Sequence, residues 1–218
     1  MAVIVGPTIR LPNSVDSATT LKIHSAIFEQ GAVSLETCPV SKLPEFAFIG
    51  RSNVGKSALL NLLSNQTALA RVSGKPGRTR EINFFTINKE WSMVDLPGYG
   101  YAKASLADRA RFHEFVSDYL LERSNLSCAF VLIDSRHSPQ KIDLEFVRWL
   151  LESNVPFNLV FTKADKVKPG EVKRNIALFT EAMAEWSEGE PNIFTSSVKT
   201  REGRSEILRF IGEALRTA

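Results

Sequence analysis

The sequence predicts an α/β fold: a three-layer α/β/α arrangement around a mostly parallel six-stranded sheet with one antiparallel edge strand. Three observations lead there. Apolar runs of strand length alternate with segments of helical period from Pro44 onward, one pair of runs is close enough to form a hairpin, and residues of unusual chemistry follow the strand-like runs directly. Strands separated by helices pair in parallel through right-handed crossovers, which covers the sheet on both faces.

The strand-like runs are residues 46–49, 82–87, 91–95, 129–134, 157–162 and 192–196, and the helical segments are 56–63, 106–123, 141–152, 172–186 and 204–215. Only Asn88, Lys89 and Glu90 separate the second run from the third. That spacing reads as a hairpin and places one antiparallel strand at the edge of an otherwise parallel sheet. Within 141–152, Ile142, Phe146, Trp149 and Leu150 recur at helical spacing and read as core. Residues 1–43 hold no sustained period and are broken by Pro12, Asn13, Gly31 and Pro39. They read as an N-terminal extension with at most one short strand or helix around 21–28, leaving 44–218 as the main domain.

A chain of 218 residues suits one α/β domain with a short extension. At this size roughly 70% of the unfolded surface is buried on folding, so no disulfide or metal staple is needed. Cys38 and Cys128 form no CxxC pair, and Cys128 opens an apolar run, so one reads as a buried structural thiol and the other as an ordinary one. The net charge of +3 suits an RNA-rich partner but is too small to point to one. Met1 to Val5, followed by Gly6 and Pro7, is too short for a signal-peptide core. No apolar run approaches the roughly 20 residues that span a bilayer. A cytoplasmic, non-membrane, monomeric protein is expected. His24, His113 and His137 have no metal-ligand spacing.

Ligands of open α/β sheets bind beyond the carboxyl ends of the strands. The strongest motif lies there: Gly50, Arg51, Ser52, Asn53, Val54, Gly55, Lys56 and Ser57 match G-x-x-x-x-G-K-S between a strand and a helix. In such a P-loop, backbone N–H groups and a helix N-terminus surround phosphate oxygens. Lys56 would pair with the β- and γ-phosphates, and Ser57 would offer its hydroxyl to Mg²⁺. Asp95, Leu96, Pro97 and Gly98 follow the third strand as a D-x-x-G turn. The Asp95 carboxylate would approach Mg²⁺ through the metal's water shell, and the Gly98 amide would meet the γ-phosphate.

After the fifth strand come Thr162, Lys163, Ala164 and Asp165, a variant of N-K-x-D with Thr for Asn. A carboxylate at Asp165 accepts from guanine N1–H and N2–H₂ together, whereas adenine presents no such pair, and the Lys163 stem would lie on the base plane. Leaving a buried acceptor unpaired is costly, so such a site selects its base strongly. Ser196, Ser197 and Val198 follow the sixth strand and resemble the S-A-K loop that supports guanine O6. Gly77, Arg78, Thr79, Arg80 and Glu81 precede the hairpin, and Thr79 is the expected switch threonine, its hydroxyl reaching Mg²⁺ and its carbonyl the γ-phosphate.

In this order the motifs resemble those of a Ras-like P-loop GTPase. Gly50–Ser57, Pro76-Gly-Arg-Thr79, Asp95-Leu-Pro-Gly-Tyr-Gly-Tyr-Ala102 and Thr162–Asp165 together look like the EngB (YihA/YsxC) branch of the TrmE–Era–EngA–YihA–septin class, across Pro44 to the C-terminus. The resemblance implies binding of GTP and GDP with Mg²⁺, slow GTP hydrolysis, a role in large ribosomal subunit assembly through rRNA and protein contacts, and a link to cell division and septation.

Lys56, Thr79, Gly98 and Asn53 are the residues expected to act at the reacting phosphates. Tyr99 stands where Ras-like proteins carry a water-orienting Gln, and a phenol does not replace that amide, so turnover should be slow. Asn53 has two readings: coordination of K⁺ beside the phosphates, as in potassium-dependent relatives, or a hydrogen bond within the loop. Arg71, Lys75, Arg78 and Arg80 read either as a solvated face or as contacts to rRNA phosphates. Two rival functions share the P-loop: a small-molecule kinase, and a nucleotide-stabilised scaffold with negligible turnover.

Overall fold

In the computed structural model the apolar runs form a seven-stranded sheet, one strand more than expected; the structure describes residues 4–5, 20–70, 81–99, 106–189 and 191–217. The strands are β1 (Ile4–Val5), β2 (Ala26–Ala32), β3 (Glu45–Gly50), β4 (Ile82–Ile87), β5 (Trp91–Asp95), β6 (Leu126–Asp134), β7 (Phe157–Thr162), β8 (Ser187–Glu188) and β9 (Ile193–Thr195). The helices are α1 (Lys56–Ser64), α2 (Leu106–Glu122), α3 (Lys141–Glu152), α4 (Pro169–Ala184) and α5 (Arg204–Thr217). The large sheet has the order β2-β4-β5-β3-β6-β7-β9, and β1 pairs separately with β8 in parallel. No helix among the described residues is long and apolar enough to cross a membrane. The chain divides into two compact units, Ile23–Ala129 and a second made of Met1–Lys22 with Phe130–Ala218.

In Ile23–Ala129, β3 and β5 pair in parallel, and β4 runs antiparallel to β5. The expected antiparallel strand is present as β4, but it does not lie at the edge. β2, from the N-terminal extension, pairs antiparallel with β4 and forms the edge instead. Glu29 is the extra residue of a bulge in β2, with Thr86 donating to its carboxylate at 2.7 Å. At the β4–β5 turn Asn88 and Lys89 take left-handed φ of 52° and 61°, the primed-turn conformation that matches strand twist. Asn88 also accepts from the backbone N–H groups of His24 and Ser25 at 2.8 and 3.1 Å, which aligns the start of β2.

The interior of this unit is aromatic, with Phe46 perpendicular to Trp91 at 5.6 Å and Phe84 edge-on to Tyr119 at 6.0 Å. Into it goes a carboxylate. Glu45 is fully buried at the start of β3. Tyr119 donates to it at 2.7 Å, Arg123 at 2.7–3.1 Å and Asn125 at 3.0 Å. Arg123 also donates to the Pro39 carbonyl at 2.7 Å, and Asn125 to that of Leu43 at 2.8 Å, so one buried charge ties α2 and β3 to the extension. Burial and the Glu45 charge push the Tyr119 phenol up, which keeps it a donor. Cys38 and Cys128 are both buried.

In the other unit Phe130 packs on Phe194 and Phe210, and Phe161 on Phe179, while β7 and β9 pair in parallel. Helix α4 starts three residues before the expected point because Pro169 suits the first helical position, where no backbone donor is needed. On α3 the expected core stripe is corrected. The helix buries Asp143, Val147, Leu150 and Leu151, whereas Ile142 is exposed and Phe146 stacks on Trp149 at 5.8 Å with both half-buried. Apolar residues cover more than one face of α3, and spacing alone does not say which face the rest of the unit takes.

The Glu45 cluster yields a stability prediction. Removing the guanidinium from a buried, hydrogen-bonded pair leaves an uncompensated charge, so Arg123→Met should lower unfolding free energy by about 3–5 kcal/mol. Adding Glu45→Gln to it should recover part of that loss. Urea denaturation of the three proteins measures both, and an Arg123→Met midpoint equal to wild type would mean the pair contributes nothing.

Candidate phosphate and base sites

The phosphate half lies in Ile23–Ala129. β3 ends at Gly50, and the chain turns through Arg51–Gly55 into α1, with the Val54 N–H bonded to the Arg51 carbonyl at 3.2 Å. Val54 is buried and anchors the loop, Ser52 and Asn53 are exposed, and Arg51, Gly55, Lys56 and Ser57 are half-buried. Gly55 precedes α1 at φ 107°, a backbone conformation open to glycine. The first turn of α1, whose amides have no partner within the helix, lies at the positive end of its dipole.

β5 delivers the second part. Asp95 aligns with Phe48 of β3, the Leu96 N–H bonds to the Phe48 carbonyl at 3.0 Å, and Asp95 through Tyr99 are buried. Lys56 Nζ donates to Asp95 Oδ1. At Gly98 any Cβ would run into the Gly50 carbonyl oxygen, so the D-x-x-G turn lies directly against the P-loop backbone. Glu81 is exposed beside Gly31. Gly77, Arg78, Thr79 and Arg80, with Arg71 and Lys75, lie outside the described residues.

The base half lies in the other unit. Thr162 ends β7, buried, and its hydroxyl donates to the Ile133 carbonyl at 3.2 Å. Its own carbonyl accepts from the Ser135 N–H at 3.0 Å and the Ser135 hydroxyl at 2.5 Å. Thr162 therefore acts as an anchor of the loop to the end of β6. Lys163 follows with φ 60°, its ammonium 2.7 Å from Asp134 Oδ2. The Ala164 N–H bonds to the Ser196 carbonyl at 3.1 Å, and the Ser197 hydroxyl donates to Asp165 Oδ1 at 2.8 Å. That hydrogen bond holds the Asp165 carboxyl below the usual carboxylate range. Ser196 and Ser197 are buried and Val198 is exposed. Among the described residues, one unit holds a backbone loop with an ammonium suited to phosphate, and the other a carboxylate on a fixed loop.

Comparison with known proteins decides the family. Residues 45–163 match the family described as 50S ribosome-binding GTPase. Over 192 residues the chain is 49% identical to the probable GTP-binding protein EngB of Christiangramia forsetii, covering 88% of this chain and 96% of that protein. The chain belongs to the EngB family of GTP-binding proteins. The protein of the same name from Bacteroides thetaiotaomicron is 48% identical over 191 residues, covering 88% of this chain and 95% of its own. Among solved structures, a probable GTP-binding protein engB superposes with TM-score 0.61 at 23% identity, covering 80% of this chain and 100% of that one. Era in complex with MgGDPNP and a 16S ribosomal RNA segment superposes with TM-score 0.61 at 24% identity, covering 79% and 56%. These two likenesses bear on the fold, that of the Ras-like GTPases.

Sequence reasoning missed the residues that hold the base loop of this EngB chain from beneath: Asp134, Ser135, Arg136 and Asn175. Asp134 is buried and accepts from Arg136 at 2.8–3.1 Å as well as from Lys163. Asn175 of α4 donates to the Ser135 carbonyl at 2.8 Å. A signal was present, since Asp134 is the one charge closing an otherwise apolar run at the strand end where the sites gather. Burial alone would push the Asp134 carboxyl up, but Arg136 and Lys163 outweigh it and hold it well below the usual range.

A carboxyl whose pKa is lowered on folding contributes stability above its unfolded pKa and loses it as pH falls through the folded one. Asp134→Asn should therefore cost about 1–3 kcal/mol near neutral pH. The gap to wild type should close as pH drops below about 4. Urea midpoints across that range test it, and a gap independent of pH would remove the charge as its cause.

Proposed function

We propose that this EngB-family chain is a slow Mg²⁺-dependent GTPase whose GTP- and GDP-bound forms differ in affinity for the large ribosomal subunit. The observation that supports it most is the seating of the Gly98 turn on the Gly50 carbonyl with Lys56 on Asp95. A γ-phosphate held by Gly50–Ser57 would sit where the Gly98 amide and the Lys56 ammonium both reach it. The reading takes 44–218 as the nucleotide-binding domain and 1–43 as an extension that supplies β2.

Each residue then has a task. The amides of Arg51–Gly55 and the first turn of α1 surround the phosphates, and Lys56 exchanges Asp95 for β- and γ-oxygens. Ser57 and Thr79 would hold Mg²⁺ directly, with Asp95 reaching it through water. These are hard oxygen donors, and the described residues hold no cluster of three or more His, Cys, Asp or Glu able to cage a metal. That fits Mg²⁺, which keeps several waters and few protein ligands. When bound, it neutralises charge on the β- and γ-oxygens. Asp165 takes guanine N1–H and N2–H₂, the backbone of Ser196, Ser197 and Val198 supports O6, and the Lys163 stem lies on the ring.

Slow turnover follows from Tyr99, which is buried where an amide would orient water. In the proposed cycle Asn53 coordinates K⁺ beside the phosphates and supplies the positive charge an arginine finger gives elsewhere. The cellular setting proposed is cytoplasmic, as a monomer, in assembly of the large subunit through rRNA and protein contacts, with cell division and septation depending on it.

Asp165→Asn should weaken GTP binding by about 100-fold or more while leaving ATP binding weak. Titration with both nucleotides measures this, and unchanged GTP affinity with effective ATP competition would favour a kinase.

Co-sedimentation with large subunits should depend on whether GTP analogue or GDP is present and weaken steeply with salt. GTP hydrolysis in the same mixtures should be slow without particles and faster in K⁺ than Na⁺, a difference lost in Asn53→Ala. Binding indifferent to nucleotide would defeat the switch. Turnover absent in every mixture would leave a scaffold, and equal K⁺/Na⁺ ratios in both proteins would remove the Asn53 role.

A further inference from the structure

The base loop contains a lysine in an unusual state. Lys163 has left-handed φ and ψ of 60° and 32°, disfavoured for a residue with a Cβ. Its backbone is fixed by neighbours: the Lys163 carbonyl accepts from the Lys166 N–H at 2.9 Å, and the adjoining Thr162 and Ala164 bond to Ser135 and Ser196. None of those bonds holds its side chain. A free lysine stem has many rotamers, and ordering it over a ligand opposes binding.

Asp134 orders it in advance. Its Oδ2 lies 2.7 Å from Lys163 Nζ, and the carboxylate is itself fixed, with Oδ1 accepting from the Arg136 N–H and Nε at 3.1 and 2.9 Å and Oδ2 from Arg136 Nη2 at 2.8 Å. Asp134 is buried, and the Lys163 side chain is 22% exposed. The exposed guanidinium of Arg136 already compensates the carboxylate. Lys163 therefore adds a second cation, and one carboxylate against two cations leaves the trio net positive. Such a trio favours an anionic ligand, and it holds an aliphatic stem still beside Asp165.

We infer that Asp134 is a positioning residue for guanine recognition: by holding the Lys163 ammonium it presets the Lys163 stem as the platform on which the purine rests. The inference rests on the guanine-binding reading above and adds a residue outside the T-K-x-D motif to it. Asp134 touches no nucleotide. It acts through Lys163.

The test is calorimetric titration of GDP and IDP into wild type, Asp134→Asn, Lys163→Met and the double variant, below the melting temperature of each. Losing the preset stem should weaken GDP binding roughly tenfold in Asp134→Asn. Lys163→Met, which retains a stem but drops the ammonium, should lose a similar factor, and the double variant should be no weaker than Lys163→Met. Because Lys163 does not read the purine 2-amino group, Asp134→Asn should weaken GDP and IDP equally. A purely structural role would instead lower the melting temperature and leave these affinities and their non-additivity unaltered.

Wild-type affinity in Asp134→Asn, or losses that add in the double variant, overturns the inference. If Asp134→Asn does not fold, Lys163→Met decides, since GDP binding equal to wild type there overturns it as well. Failure of wild type itself to bind GDP would instead strike the guanine-binding reading, and the two failures are distinct.

Discussion

The phosphate half depends on how closely two backbone turns approach each other. Gly98 lies against the Gly50 carbonyl with no room for a side chain, and that contact sets the distance between the P-loop and the turn that follows β5. The parallel register of β3 and β5 makes the approach possible, because Phe48 and Asp95 lie side by side two residues before Gly50. Sheet register, not loop sequence, decides where the Asp95 carboxylate ends up. The Lys56–Asp95 pair then follows, because α1 begins at that same strand end.

Each unit buries a carboxylate, Glu45 in one and Asp134 in the other, and both solve the same problem. A carboxylate taken out of water costs several kcal/mol unless cations and hydrogen bonds replace its hydration. Glu45 gets Arg123, Tyr119 and Asn125, and the cluster ties α2 to the start of β3, at the opposite end of that strand from Gly50. Asp134 gets Arg136 and Lys163 at the end of β6. The first has no motif near it and reads as architecture. The second shares its lysine with the base loop, so its electrostatics cannot be separated from that loop's geometry.

Much of this was legible in the chain. Residues 82–87, 91–95, 141–152 and 157–162 form the expected elements to the residue, because each is bounded by a turn signal or a change of period. The P-loop and D-x-x-G turn were legible because glycine is demanded by sterics there. β2 was legible only as a short strand or helix around 21–28: Ile27, Phe28 and Glu29 are all exposed, a bulge breaks the alternation, and the strand pairs with β4. Phe28 recovers some burial by packing edge-on to Phe85 at 5.7 Å. On α3 the period was right, but of the four expected core residues only Leu150 is fully buried. The support under Lys163 was invisible for another reason: it joins β6 to β7 across 29 positions, a separation that only the folded sheet closes.

On the proposed reading, the two candidate sites meet ligands under different constraints. In the base half a set of hydrogen bonds within the unit ties the loop down: Thr162 to Ile133, Ser135 to Thr162, Ala164 to Ser196, Ser197 to Asp165. Its shape is made before any ligand arrives. In the phosphate half the lysine is engaged by a buried carboxylate. Lys56 cannot turn to a phosphate without stripping Asp95 of its cation, which is costly in a buried setting unless another positive charge replaces it. On the proposed reading, phosphate and a hydrated divalent cation are therefore thermodynamically linked at this site. Sensitivity to the nucleotide's phosphates then belongs to residues 50–57 and 95–98, while the choice of base belongs to a loop that has nothing to rearrange.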